Sequence, residues 1–201
     1  MKKIILLAAL ISLFACKNEA DKTNEPGIMD AVEGINSLSK AGDAIKDNEK
    51  KIEALKKLQP ISKETFKEVL VEQLGDLKRS SFTIGGLVEG LGTGIASYGE
   101  NDKTVNVTIF DGAGESGSAM VAGTYMLLAM DTESVDKTNT QKTEEIDGVK
   151  CLTTNNSDPE QLRSMITFIH NERFQVTVEG NKMQLDELKK YLKLLDLSKL
   201  K

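Results

Sequence analysis

The 201-residue chain has no tryptophan, one histidine, two cysteines and three prolines, and only 4% of its residues are aromatic. Each shortage excludes something. Nucleic-acid binding draws on cationic surface and stacking aromatics. Here the formal net charge is −5 and no long basic run occurs, so no nucleic-acid partner is expected. One histidine and two thiols do not furnish an ordinary zinc site, and no D-x-D-x-D-G calcium loop is present. Neither a metal nor any other cofactor is expected. Two cysteines do not make a disulfide framework, so the fold must stand on an apolar core, and the length permits one. The most apolar stretch, Ile4 to Phe14, is about eleven residues, whereas a membrane-spanning helix needs roughly twenty.

That stretch follows Met1-Lys2-Lys3. A basic start before a short apolar run describes a secretory signal. The run ends in Leu13-Phe14-Ala15-Cys16, which resembles the lipobox of bacterial lipoproteins: a Leu, a variable residue, a small residue and an obligatory Cys. Leu13, Ala15 and Cys16 match, while Phe14 stands where a small or branched residue is commoner. The resemblance implies export, cleavage before Cys16, diacylglycerol on its sulfur and a palmitate-like acyl chain on the new amine. One acyl chain holds a protein on a bilayer only marginally, at about 0.8 kcal/mol per buried methylene, whereas two or three hold it firmly. Lys17 after the Cys looks like an outer-membrane destination in two-membrane bacteria. Lys17-Asn18-Glu19-Ala20-Asp21 loosely resembles the surface-export signals of Bacteroidota lipoproteins, and whether the protein faces periplasm or medium stays open. Losing Lys2 and Lys3 with the signal takes the formal charge from −5 to −7. Lipid on Cys16 leaves Cys151 alone, expected as a small buried side chain on a strand rather than a reactive thiol.

The chain divides into a signal over 1–15, a flexible tether over 16–27, a long amphipathic helix over 28–59 and an α+β domain over 60–201. The tether is polar, with Pro26 and Gly27. In the helix, Leu38, Ala41, Ile45, Asn48, Ile52 and Leu55 alternate spacings of three and four and form one stripe. Asn48 on that stripe is the device a coiled coil uses to set register; self-association, or docking of a protein partner, through 28–59 is therefore expected. Pro60 stops the helix, and Ser62 reads as the N-cap of a short second one through Leu70.

Beyond Ser80 the pattern becomes strand-like. Phe82–Ile84, Gly94–Gly99 and Thr104–Phe110 read as strands, with Asn101-Asp102 as a hairpin turn. Ser116–Met130 reads as a helix apolar on nearly every side, and hence covered on both. A polar stretch from Asp131 to Asn139 follows. Thr143–Ile146 and Val149–Leu152 flank Asp147-Gly148, a type I′ hairpin signal. Leu162–Ile169 and Phe174–Val178 pair around His170-Asn171-Glu172. In the last strand Phe174, Val176 and Val178 face one way and Gln175, Thr177 and Glu179 the other, a sheet with one wet or differently covered face. Gly180 and Asn181 turn into a final helix whose stripe is Leu185, Leu188, Leu192 and Leu195, with Asp186 set to pair with Lys190. Short turns between strands make the fold class α+β: a mostly antiparallel sheet with helices packed on it, preceded by the long N-terminal helix.

Several motifs invite chemistry. Gly112-Ala113-Gly114-Glu115-Ser116-Gly117 is formally the dinucleotide fingerprint between a strand and a helix. The preceding strand, Thr104 to Ile109, alternates polar and apolar residues, where a buried parallel strand would be apolar throughout. Asp111 and Glu115 would set negative charge beside a pyrophosphate. The expected role is a tight turn capped by Ser116 or Ser118. Ser116 or Ser118 with His170 is the arrangement a serine-type hydrolase of the cell envelope would need; the nucleophile-elbow pattern is not met. Ser37-Leu38-Ser39-Lys40 and Ser134-Val135-Asp136-Lys137 match S-x-x-K without its companion motifs. Glu144-Glu145 and Asp186-Glu187 read as solvated surface.

Thr104 to Gly117, with Ile-Phe-Asp-Gly-Ala-Gly-Glu-Ser-Gly, and Asn171 to Gly180, followed by the helix closing on Leu195-Asp196-Leu197, resemble a group of uncharacterised bacterial exported proteins and lipoproteins. The resemblance covers the C-terminal two thirds and brings no activity. The function expected from the sequence is thus a bilayer-anchored envelope lipoprotein with a non-catalytic binding or scaffolding domain; a serine hydrolase is the alternative.

Overall fold

The computed structural model describes residues 46–85 and 88–201. The signal, the tether, Cys16, and Leu38, Ala41 and Ile45 of the expected long helix lie outside the described residues. Residues 46–55 form helix α1, which unwinds before Pro60. Ser62 then caps α2, Lys63–Val69, by accepting a hydrogen bond from Thr65 N at 3.2 Å.

Among the described residues, nine strands make one sheet in which every pairing is antiparallel. They are β1 Gln73–Leu74, β2 Leu77–Ile84, β3 Gly92–Tyr98, β4 Thr104–Asp111, β5 Glu133–Asp136, β6 Asn139–Ile146, β7 Val149–Asn156, β8 Arg163–His170 and β9 Phe174–Asn181. Their order is β1-β2-β3-β4-β9-β8-β7-β6-β5. After β4, helix α3, Gly114–Ala129, leads to the far edge; a five-strand meander then returns until β9 meets β4. Helix α4, Leu185–Leu192, completes the α+β fold.

Several strands are longer than their apolar alternation suggests. The polar stretch after Met130 contains β5, and β6 and β7 extend through Asn139 to Lys142 and Thr153 to Asn156. Polar residues there pair through the backbone ladder, which is indifferent to side chains. The β6–β7 turn has the two positive φ angles of type I′, 50° at Asp147 and 80° at Gly148. The turn after β9 is made by Lys182, φ 50°, and not by Gly180 and Asn181, which remain in the strand.

One sheet face carries the main core. Val105, Val107 and Ile109 of β4, Phe174, Val176 and Val178 of β9, and Ile166 and Phe168 of β8 pack there with Phe66 and Leu70 of α2 and Leu188 and Tyr191 of α4. The expected α4 stripe holds: Leu188 is buried, and Leu185, Leu192 and Leu195 pack around it. Asp186 approaches Lys189 at 4.0 Å rather than Lys190. On the opposite face α3 and α1 make a smaller cluster of Leu55, Val121 and Tyr125 with Ile52 and Ile169. Asn48 donates to the carbonyl of Tyr125 at 3.3 Å. The described half of the α1 stripe is therefore engaged within the chain. Among the described residues α3 has cover on one side, where cover on both was expected: Met126 is 61% and Met130 47% exposed. Residues 46–55 cover one flank of it.

The two faces are joined at Asp111, the last residue of β4, which is fully buried. Arg173, at the β8–β9 turn, clasps it with Nε to Oδ1 at 2.7 Å and Nη2 to Oδ2 at 2.8 Å. Ile61 N donates to Oδ2 at 2.8 Å and Ala113 N to Oδ1 at 3.0 Å. Arg173 also donates to the carbonyls of Gln59, at 2.8 Å, and Lys201, at 3.3 Å. Removing one partner of a buried pair leaves the other charged and unmet, at a cost of about 3–5 kcal/mol. Arg173→Ala is expected to lower unfolding free energy by that amount in urea titration. Arg173→Lys, which cannot make the two-pronged contact, recovers less than half of it.

Candidate functional site

The glycine-rich segment is a packing device. Gly112 N donates to the carbonyl of Arg173 at 3.0 Å. A Cβ on Gly112 would lie 2.5 Å from that carbonyl oxygen, and one on Gly117 would lie 2.3 Å from the carbonyl oxygen of Asp111. The glycines let β4 bend into α3 with the backbones in contact. The strand before them is antiparallel to both neighbours, unlike the parallel first strand of a dinucleotide-binding unit. The expected serine cap is replaced. Ala113 holds the N-cap position without a side-chain bond, and Asp111 accepts the Ala113 N–H instead.

Ser116 and Ser118 are spent locally, donating to the carbonyls of Glu89 and Glu115, each at 3.1 Å. No hydrogen bond joins either serine to His170. The histidine points to the other face of the sheet, where with Cys151, Phe168, Leu192, Leu195 and Leu197 it lines an apolar cavity of about 280 Å³. Chain order does not mark that Cys151 and His170 meet: Cys151 lies opposite Phe168 on β8, two residues before His170 on the same face. Burial pushes the Cys151 thiol up to about 11, with Glu144 adding to the shift, and the thiol donates to the carbonyl of Val149 at 3.3 Å. Burial lowers the His170 imidazole below its ordinary range, opposed by the carbonyls of Leu197 and Leu200. Its Nε2 has no hydrogen-bond partner among the described residues. A protonated thiol beside a neutral imidazole is the reverse of an activated nucleophile.

The remaining sequence candidates scatter. Ser134 to Lys137 lies on edge strand β5 and its turn, while Ser37 to Lys40 lies outside the described residues. Glu144 is not simply solvated. Burial alone would raise its carboxyl, but the Thr153 hydroxyl at 2.9 Å, with Lys189 and Lys142, outweighs burial and lowers it. Glu187 pairs with Lys103 at 2.5 Å and Asp186 is exposed.

A concavity of about 640 Å³ lies on the α3-facing side of the sheet. Helix α3 is held over one end of that face by Thr124 Oγ1 donating to Gln175 Oε1 at 2.7 Å and Tyr125 Oη donating to the Glu172 carbonyl at 2.6 Å. At the other end no described helix covers the strands. Register places Asn139, Asn156, Arg163, Asn181 and Thr104 in one row across β6, β7, β8, β9 and β4. Gln141, Thr154, Met165, Glu179 and Asn106 form the next row on the same face. Arg163 is paired with Glu179, Asn181 Nδ2 donates to Thr104 Oγ1 at 2.9 Å, and Lys182 holds the 159–160 loop at the rim through two carbonyls. The carboxamide of Asn139 and the hydroxyl of Thr154 line the groove with no hydrogen bond among the described residues. The alternation of Gln175, Thr177 and Glu179 was the one sequence signal for this surface. Its extent appears only when five strands are laid side by side.

Among the described residues no group of histidine, cysteine and carboxylate side chains could hold a metal ion, and no helix is long and apolar enough to cross a membrane. No protein-family model, curated protein or solved structure matches this chain. The buried thiol yields a prediction. In native protein Cys151 should react with a disulfide reagent at least a hundredfold more slowly than in urea. Its folded pKa is raised, so its contribution to stability is present below about 9 and is lost as pH rises toward about 11. Urea midpoints measured across that range should fall more for wild type than for Cys151→Ala.

Proposed function

We propose that this protein is an exported lipoprotein, tethered to the bacterial outer membrane through acylated Cys16, whose α+β domain is a non-catalytic binding module. The observation that carries the anchor is Leu13-Phe14-Ala15-Cys16 at the close of a basic-then-apolar start. The polar half of the sheet, which no described helix covers, supports the binding role. Asn48, Ile52 and Leu55 pack within the chain, so a second contact for a partner or another copy through 28–59 would draw on the residues before them.

The groove suits an extended polypeptide segment. A carboxamide presents a donor and an acceptor side by side, the pattern of a peptide group; in the row Asn139 keeps both, Asn156 keeps its donor while its Oδ1 accepts from Asp158 N, and Asn181 keeps its acceptor. No aromatic side chain lines the groove, which removes the usual stacking platform for a sugar ring. Five strands spaced about 4.8 Å apart span roughly 19 Å, the length of about six extended residues.

Two measurements test the reading. In cells fed an alkyne-tagged fatty acid, the protein should take up label and fractionate with the outer membrane. Cys16→Ala should abolish label and leave the chain at its uncut mass; labelling that survives this change would refute the anchor. For the groove, purified domain panned against a peptide library should enrich extended, uncharged hexamers. Removing two side-chain hydrogen bonds by Asn139→Ala with Thr154→Val should weaken binding about tenfold. Affinity indifferent to that change, or selective binding of oligosaccharides, would refute the peptide reading.

A further inference from the structure

His170, the chain's one histidine, ends β8 on the core face, opposite Phe174 of β9. Against it lies the segment after α4, residues 193–201, which belongs to no helix or strand. Leu195 and Leu197 of that segment share the cavity wall with His170, Cys151 and Phe168, and the carbonyls of Leu197 and Leu200 face the ring. The segment's backbone bonds are local: Leu194 N donates to Tyr191, Leu195 N to Leu192 and Leu200 N to Leu197. Side chains tie it to the domain. Asn171 Nδ2 donates to the Leu200 carbonyl at 2.6 Å, and Arg173 Nη1 to the Lys201 carbonyl at 3.3 Å. Lys193 pairs with Asp147 at 3.2 Å and Lys199 with Glu68 at 3.9 Å. All four of those side chains are exposed, where ion pairs contribute little. Within the segment Leu200 alone is buried.

We propose that residues 193–201 are an acid-released cover: a proton taken up by His170 frees the segment from the sheet and bares the apolar wall of Cys151 and Phe168 beneath it. A protonated imidazole carries a charge and two N–H donors. In the closed arrangement Nε2 is sealed from water with no hydrogen-bond partner among the described residues, and a buried charge without a partner is costly. The charged groups around the ring do not offset that cost. Asp147 and Lys193, at the cavity rim, neutralise each other. The Cys151 thiol is held neutral, and Glu144 and Lys189 above it pair at 3.5 Å. Arg173 is bound to Asp111 and Glu172 to Lys51, while Asp196 and Lys201 stand in solvent. The carbonyls of Leu197 and Leu200 favour the charged ring, but burial outweighs them and lowers it. Once the cover opens, water surrounds the ring and it titrates near its ordinary value of 6.5. The histidine's contribution to closure is therefore complete above that pH and is lost as pH falls through the lower, closed-state value.

The test uses the full chain with Cys16→Ser, which leaves Cys151 as the one thiol. Dithiodipyridine reacts with thiols in acid as well as at neutral pH. Its rate with Cys151, taken relative to an unstructured cysteine peptide at the same pH, counts openings of the cover. That rate should rise about fivefold or more between about pH 7.5 and about pH 5. The circular dichroism spectrum should not change, and the rate should exceed what the unfolded fraction from urea titration allows at each pH. The single histidine resonance should titrate below 6.5, over the same range as the labelling. His170→Gln, whose side chain does not titrate, should remove the acid rise. Leu200→Ala, which loosens the cover and keeps the imidazole, should label faster already at neutral pH and retain the rise. Labelling flat with pH, a rise that survives His170→Gln, or a histidine titrating at or above 6.5 overturns the proposal. So does a rate no faster than global unfolding allows, or Leu200→Ala labelling no faster than its parent.

Discussion

The contact between Asp111 and Arg173 is the constraint on which the rest of the structure depends. A fully buried carboxylate is costly unless its lone pairs are met, and this one receives four donors from three parts of the chain. Those donors fix how the 59–61 linker enters the domain, how β4 turns into α3, and where the β8–β9 hairpin stands. Arg173 extends the same network to the last residue through the carbonyl of Lys201. Asn171 of that hairpin adds a hydrogen bond to the carbonyl of Leu200 at 2.6 Å. The closeness of Gly112 to Arg173, and of Gly117 to Asp111, follows from the same clasp.

From that junction the sheet presents two unlike surfaces. The face under α2 and α4 is dry and carries the burial energy, each large side chain there contributing about 1.5–3 kcal/mol. The other face alternates threonine, asparagine and glutamine, and is shared between α3 and open solvent. Because α3 is pinned over Gln175 and Glu172, the polar rows near Thr104 and Asn181 stay free. The same pinning turns Met126 and Met130 outward. The groove and the apolar helix face thus share one cause, the position of α3 on a sheet wider than a single helix can cover.

Much of the architecture was legible in the residues. Alternation in β4 and β9, the Asp147-Gly148 turn, the Ser62 cap and the Leu188 stripe all follow from local periodicity and turn chemistry. Strand ends were less legible where polar side chains continue a ladder, as in Asn139 to Lys142, because backbone pairing leaves no hydropathy signal. Among the described residues α3 is covered on one side only, and the sequence did not say which: an all-round apolar pattern states that a helix can be buried but not what buries it. The serine and histidine candidates were separated by the sheet itself. Cys151 and His170 met at one cavity because β7 and β8 are neighbours, a fact of register rather than of sequence distance.

The sequence by itself determined the mostly antiparallel α+β class and carried the expectation of a lipid anchor at Cys16, which would leave Cys151 without a disulfide partner. Each rests on local information: periodicity of two or 3.6, a cysteine count, a short motif. Tertiary structure alone decided that Asp111 and Glu144 are internal ties, that Gly112 to Gly117 is a packing turn, and that polar side chains from five strands form one surface. Those outcomes depend on which distant segments become neighbours. That choice belongs to the summed packing of the sheet and its helices, in which no single stretch of chain carries the answer.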